Sequence, residues 1–131
     1  MIVDTSALVA ILLDEPDARR YAEALAAAKR RMVSAATYVE AGVVVDANGD
    51  PVLSRRLDDL LEAADVDVVP LTAEHAEIAR QAYRDFGKGS GHPARLNLGD
   101  CFSYALARAT NNPLLFKGED FGHTDIAPAV E

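Results

Sequence analysis

Met1-Ile2-Val3-Asp4-Thr5-Ser6-Ala7-Leu8 opens the chain, and its reading decides the fold class. Ile2-Val3 is a short apolar run that stops at Asp4; Thr5 and Ser6 make a polar turn, and residues 7–13 are apolar enough for a buried helix. This order is strand, turn, helix, with Thr5 or Ser6 expected to cap the helix. The same alternation continues. Residues 31–34, 66–70 and 114–116 are short strand candidates, and Ile126-Ala127 is a possible fifth. Helices are predicted over residues 17–29, 37–47, 51–64 and 73–86, the last capped by Thr72. A further helix opens at Leu98-Gly99-Asp100 and ends at Asn111-Asn112-Pro113. Short apolar strands alternating with helices predict an α/β fold, a three-layer α/β/α sandwich around a mostly parallel sheet of four or five strands. No repeat or linker interrupts the pattern, so residues 1–131 read as one domain.

In such a sheet the functional crevice lies beyond the carboxyl ends of the strands. Asp4 ends the first strand, Asp120 lies just past the fourth, and Glu40 and Asp100 sit in helices that can flank the same place. Each acid also has a bland reading. Asp4 can cap the first helix. Glu40 stands at capping-box spacing after Thr37, although the Ala41-Gly42-Val43-Val44-Val45 that follows makes its helix nearly all apolar and suggests burial. Asp100 suits a first helical turn, and Asp120 an ordinary turn. Together, however, four carboxylates in one crevice would raise one another's pKa unless a cation joined them. Oxygen ligands alone favour Mg²⁺ or Mn²⁺ over zinc. Such an ion activates water and stabilises a transferring phosphoryl group. Ser6 and Lys117, and less directly Lys88 and Arg95, are candidate contacts for substrate phosphate.

The remaining composition narrows the choice. With 13 basic and 21 acidic residues the net charge is −8, which opposes a general electrostatic grip on nucleic acid or anionic lipid. A nucleic-acid enzyme with this balance needs local basic patches or a cation carried in its site. The single cysteine, Cys101, excludes an internal disulfide and a Cys-rich zinc site, and reads as a small core residue. No apolar run approaches the ~18 residues of a membrane span. No signal peptide is expected ahead of the first strand, and the chain reads as cytosolic. His75, His92 and His123 lack metal-ligand spacing, and the aromatics are too scattered for a base-stacking platform. Residues 87–97 form the one long irregular segment, of a kind often functional or mobile.

The opening Ile2-Val3-Asp4-Thr5-Ser6-Ala7-Leu8, the lone Glu40, Leu98-Gly99-Asp100 opening a helix, and Leu114-Leu115-Phe116 followed by Asp120-Phe121 together resemble PIN-domain ribonucleases, in particular the VapC toxins of toxin–antitoxin pairs. The resemblance spans nearly the whole chain. It implies Mg²⁺- or Mn²⁺-dependent RNA hydrolysis, a homodimer, and inhibition by a VapB-type antitoxin. Asp4 and Asp100 then match the principal metal ligands, Glu40 the second acid and Asp120 a less constant fourth, with Asp125 a weaker candidate. Many family members carry Thr or Ser at the end of the fourth strand; Phe116 and Lys117 stand there in this chain, leaving Lys117 as the substitute contact. An acidic crevice is also a natural target for a basic antitoxin segment. Two other classes compete: a PIN-like module that binds metal or a partner without turnover, and phosphoryl chemistry on Asp4. The latter is disfavoured because Ser6 stands where a phosphatase would carry its second Asp, and Asp4 has no acidic neighbour.

Overall fold

A computed structural model describes residues 1–130. Its elements are β1 (Ile2–Val3), α1 (Thr5–Leu12), α2 (Ala18–Ala27), β2 (Arg31–Ser34), α3 (Ala35–Asp46), α4 (Pro51–Ala63), β3 (Val66–Val69), α5 (Ala73–Phe86), α6 (Leu98–Thr110) and β4 (Leu114–Leu115). A short 3-10 turn, Asp120–His123, follows β4. The four strands are all parallel in the order β3-β2-β1-β4. The expected fifth strand is reduced to an isolated bridge between Leu114 and Pro128.

Register divides the core in two. Ile2 lies opposite both Met32 and Leu114, and these three share one apolar cluster with Leu106, Phe121 and Ile126. Val3 lies opposite Leu115, and both enter the other cluster with Leu8, Leu25, Leu57 and Leu61. Successive strand residues point to opposite faces, so two-residue strands suffice to link both layers: α5 and α6 cover one face, and α1 to α4 the other. Arg31 reinforces the second layer. Its guanidinium donates to the carbonyls of Leu25, Ala26 and Ala64, tying together chain ends of α2 and α4.

The chain runs outward from β1 through β2 to β3, then returns to place β4 on the other side of β1. The β1/β4 junction is therefore the point where strand order reverses, where a crevice opens at the carboxyl ends. The amide of Asp4 donates to the Leu115 carbonyl at 2.9 Å, and the Lys117 amide donates to Ser6 Oγ at 2.9 Å. These bonds fix both strand ends at the mouth of that crevice.

The irregular segment 87–97 closes on itself. Lys88 N–H donates to Leu96 O and Leu96 N–H to Phe86 O, while Ala94 and Leu96 are fully buried. The helix bearing Glu40 departs from expectation. α3 starts at Ala35 with Ser34 as its cap, and Val39, Val43 and Val44 are exposed, so its apolar length reflects an uncovered face rather than burial. No helix among the described residues is long and apolar enough to cross a membrane.

Candidate active site

Asp4 leaves β1 with extended backbone and caps α1 itself. Its Oδ2 accepts the Ser6 N–H at 3.0 Å and the Ser6 hydroxyl at 2.6 Å. Thr5 and Ser6 belong to the first turn of α1 and do not cap it, which corrects the expectation that one of them would. Asp4 Oδ1 accepts the Ser103 hydroxyl at 2.5 Å, and only 3% of the residue is exposed. A buried carboxylate is held in this way only when its lone pairs are met.

Glu40 reaches the same place from α3. Thr5 Oγ1 donates to its Oε1 at 2.5 Å. Because α3 is capped by Ser34, the capping-box reading of Glu40 with Thr37 fails. Thr37 turns inward instead and meets Ser103. Burial, then the nearby Asp4 charge, pushes the Glu40 carboxyl above its ordinary pKa, against the lowering effect of the Thr5 hydrogen bond.

Asp100 combines its bland and functional readings. Its amide donates to Asn97 Oδ1 at 2.8 Å, and its Oδ2 accepts the Asn97 N–H at 3.0 Å, a reciprocal cap at the start of α6. The carboxyl is nevertheless pushed up to about 7, chiefly by burial and then by the charges of Asp4, Asp120 and Glu40. Burial is the larger cause, and the neighbouring carboxylates add to it.

Asp4, Glu40 and Asp100 thus line one open cleft of 320 Å³, with Thr5, Ser6 and Lys117. Glu15 lines it too, a residue that strand-end logic missed because it lies in the turn after α1. Asp120 is exposed in the 3-10 turn; it does not line the cleft, but its charge reaches Asp100. Lys117 Nζ is paired with Glu15 at 2.8 Å and Asp17 at 3.0 Å, and Ser6 spends its one proton on Asp4. Lys88, His92 and Arg95 do not line the cleft. Asp125 is elsewhere: it accepts from Tyr104 at 2.8 Å and pairs with Arg108 at 3.3 Å beside a separate hollow of 520 Å³. That arrangement removes Asp125 as a fourth acid of the cleft. Cys101 is buried and free, as expected of a core residue.

A divalent cation fits this donor set. The ligands on offer are the carboxylate oxygens of Asp4, Glu40 and Asp100, hard donors of the kind Mg²⁺ and Mn²⁺ take. Among the described residues no three acidic, His or Cys side chains are arranged to grip one ion alone. An ion here would be held by fewer carboxylates and by water, in keeping with the reluctance of Mg²⁺ to lose its hydration shell.

Two further residues shape the cleft. Gly99 is buried beneath Glu40, and a Cβ built on it would fall onto the Glu40 carboxylate. Ser103 supports Asp4 from the core. Neither residue type announces chemistry in a sequence; the one available signal was a glycine in the first turn of a helix, where propensity disfavours it.

The PIN domain family model matches residues 1–127, and the chain belongs to that family. It is 59% identical over 131 residues to Ribonuclease VapC28 of Mycobacterium tuberculosis, covering 100% of this chain and 98% of the relative. It is 52% identical over 129 residues to Ribonuclease VapC42 of the same species, covering 98% of each. Among solved structures, M. tuberculosis VapC20, described as a sarcin–ricin loop cleaving toxin, superposes with a TM-score of 0.75 at 16% identity over 96% of this chain and 95% of that one. A toxin–antitoxin complex from Klebsiella pneumoniae gives 0.73 at 17% identity over 99% and 98%. At such identities the structural likeness establishes the shared fold.

Proposed function

We propose, from this membership of the PIN family, that the chain is a divalent-metal-dependent endoribonuclease and the toxin of a toxin–antitoxin pair. The observation that carries the reading is the convergence of Asp4, Glu40 and Asp100, from three elements far apart in sequence, on one cleft at the reversal point of the sheet. Two close relatives bear the name ribonuclease, and one structural neighbour is a toxin–antitoxin complex.

Asp4 and Asp100 would hold Mg²⁺ or Mn²⁺, with Glu40 completing the acidic wall and Asp120 adding charge at the rim. The bound cation supplies a water of lowered pKa and charge relief on the phosphoryl oxygens. A bound cation would favour the ionised carboxylates of Asp100 and Glu40, which burial disfavours. Ser6 and Lys117 line the phosphate side of the cleft. The Lys117 ammonium spends two of its three N–H donors on Glu15 and Asp17 and has a third for a phosphate oxygen, while the Ser6 hydroxyl proton stays on Asp4. An acidic cleft in a chain of net charge −8 also accepts a basic antitoxin segment, such as an inserted Arg. The exposed Val39, Val43, Val44 and Val52 supply apolar surface for protein contact, and a homodimer is part of the proposal.

The test is cleavage of total RNA by purified protein free of antitoxin, with Mg²⁺, Mn²⁺ or EDTA, beside Asp4→Asn and Asp100→Asn. Discrete fragments that require metal and vanish in both variants are expected. Mn²⁺ binding without cleavage of any RNA would favour a silent binding module, and cleavage that persists in either variant would refute the assigned site. Light scattering on the same sample checks the dimer.

A further inference from the structure

We propose that Ser103, held in turn by Thr37, is a positioning residue that presents the Asp4 carboxylate to the cation through a single oxygen. The inference rests on the metal-site reading above and concerns residues outside the acidic set.

Thr37 and Ser103 are both fully buried, and their hydroxyls lie 3.2 Å apart. A serine hydroxyl has one proton. Ser103 donates it to Asp4 Oδ1 at 2.5 Å, so in the contact with Thr37 the threonine is the donor. The relay therefore runs one way, from Thr37 to Ser103 to Asp4.

Its position repeats the site one layer deeper. Thr37 precedes Glu40 by three residues on α3, and Ser103 follows Asp100 by three on α6, a spacing that keeps each pair on one helix face. Glu40 and Asp100 line the cleft; Thr37 and Ser103 lie in the core; the Asp4 carboxylate stands between them. Ser103 is surrounded in sequence by Cys101, Tyr104, Ala105 and Leu106, all buried. Alanine would fill that position with better helix propensity, and a buried hydroxyl is tolerated only because it is bonded.

The remaining lone pairs decide how Asp4 can ligate. An ionised carboxylate has about two acceptor directions on each oxygen. Oδ2 already accepts the Ser6 amide and hydroxyl, and Oδ1 accepts Ser103. One direction on Oδ1 is free. Ser103 thereby sets the direction of the single lone pair that Asp4 offers.

The experiment is calorimetric titration of the full chain with Mn²⁺ in the absence of RNA, for wild type, Ser103→Ala, Ser103→Cys, Thr37→Val and Asp100→Asn. Thermal melting of each metal-free protein accompanies it. Loss of a group that orients a metal ligand weakens affinity by about tenfold to a hundredfold. Ser103→Ala is expected in that range, Ser103→Cys between it and wild type because a thiol is a weaker donor, and Thr37→Val closer to wild type. A purely packing role would shift the melting temperatures of the variants and leave Mn²⁺ affinity at the wild-type value. Wild-type affinity in Ser103→Ala, with binding lost in Asp100→Asn, overturns the positioning role and leaves the metal site intact. If Ser103→Ala does not fold, Ser103→Cys decides: weakened binding supports the relay and unchanged binding refutes it. Failure of wild type itself to bind Mn²⁺ overturns the metal reading and this inference together.

Discussion

The carboxylate of Glu40 occupies the space above Gly99 that any side chain at position 99 would fill. An acid on α3 and a glycine on α6 thus form one unit, and the first turn of α6 both supplies Asp100 and makes room for Glu40.

Gly99→Ala should therefore displace Glu40 and reduce RNA cleavage by about tenfold to a hundredfold, the scale on which disturbed ligand support is felt. In an ordinary helix the same change would stabilise by about 1 kcal/mol. Cleavage rates of Gly99→Ala, Glu40→Gln and the double variant test the coupling, because residues acting as one unit are not additive. An additional loss in the double variant equal to that in the single would separate the two residues.

Asp100→Asn should make the metal-free protein more stable at neutral pH, by about 1 kcal/mol once solvent screening of this partly exposed group is allowed for. The Asp100 carboxyl is raised from 3.8 to about 7 in the folded state. A raised folded pKa gives stability that is fully present below the unfolded value and lost as pH rises through the folded one. This contribution should therefore decline between about pH 4 and pH 7 in wild type, with Glu40 acting in the same direction. Melting across that range should show a smaller decline for Asp100→Asn, and identical pH profiles would contradict the assignment. Mn²⁺ should reverse the order at neutral pH by stabilising only the wild type.

Lys117→Ala separates the two roles open to this lysine. Its ammonium is held by Glu15 and Asp17, whose bonds raise its pKa. If its third N–H takes substrate phosphate, the variant should lose about tenfold in cleavage while Mn²⁺ affinity is retained. Unchanged cleavage would mean that the lysine only ties the turn after α1 to the end of β4.

Arg31→Ala should destabilise the fold by about 2 kcal/mol without altering metal affinity. The guanidinium serves carbonyls of Leu25, Ala26 and Ala64, and bonds from a charged donor are among the stronger ones. Chemical denaturation measures the loss. A variant as stable as wild type would show that water satisfies those carbonyls equally well.

Asp4 and Asp100 could be picked out from sequence because each stands at an element boundary, one after an apolar strand and one in the first turn of a helix. Helix boundaries were less legible. Residues 37–47 were expected as a helix, but α3 begins at Ala35, because Ser34 rather than Thr37 caps it. That shift by two residues turns Thr37 into a core residue and frees Glu40 from a capping duty. Asp125 misled because its place after the fourth strand resembles that of Asp120. Only the turn between them, which aims Asp125 at Tyr104 and Arg108, distinguishes the two.

Local patterning by itself determined the parallel α/β layering: apolar runs of two to four residues need cover on both faces, and helices between them supply it. The net charge of −8 likewise told against a general electrostatic grip on a phosphodiester, leaving local basic patches or a bound cation. Tertiary structure alone decided which carboxylates share the cleft and what stands behind them. Asp4 and Ser103 are 99 residues apart, and Thr5 and Glu40 are 35 apart. Hydroxyl bonds of this kind have no periodicity and no special composition, since serine and threonine are as common in caps and turns as in support of a buried charge. Their partner is chosen only when strand order and helix crossing bring the elements together.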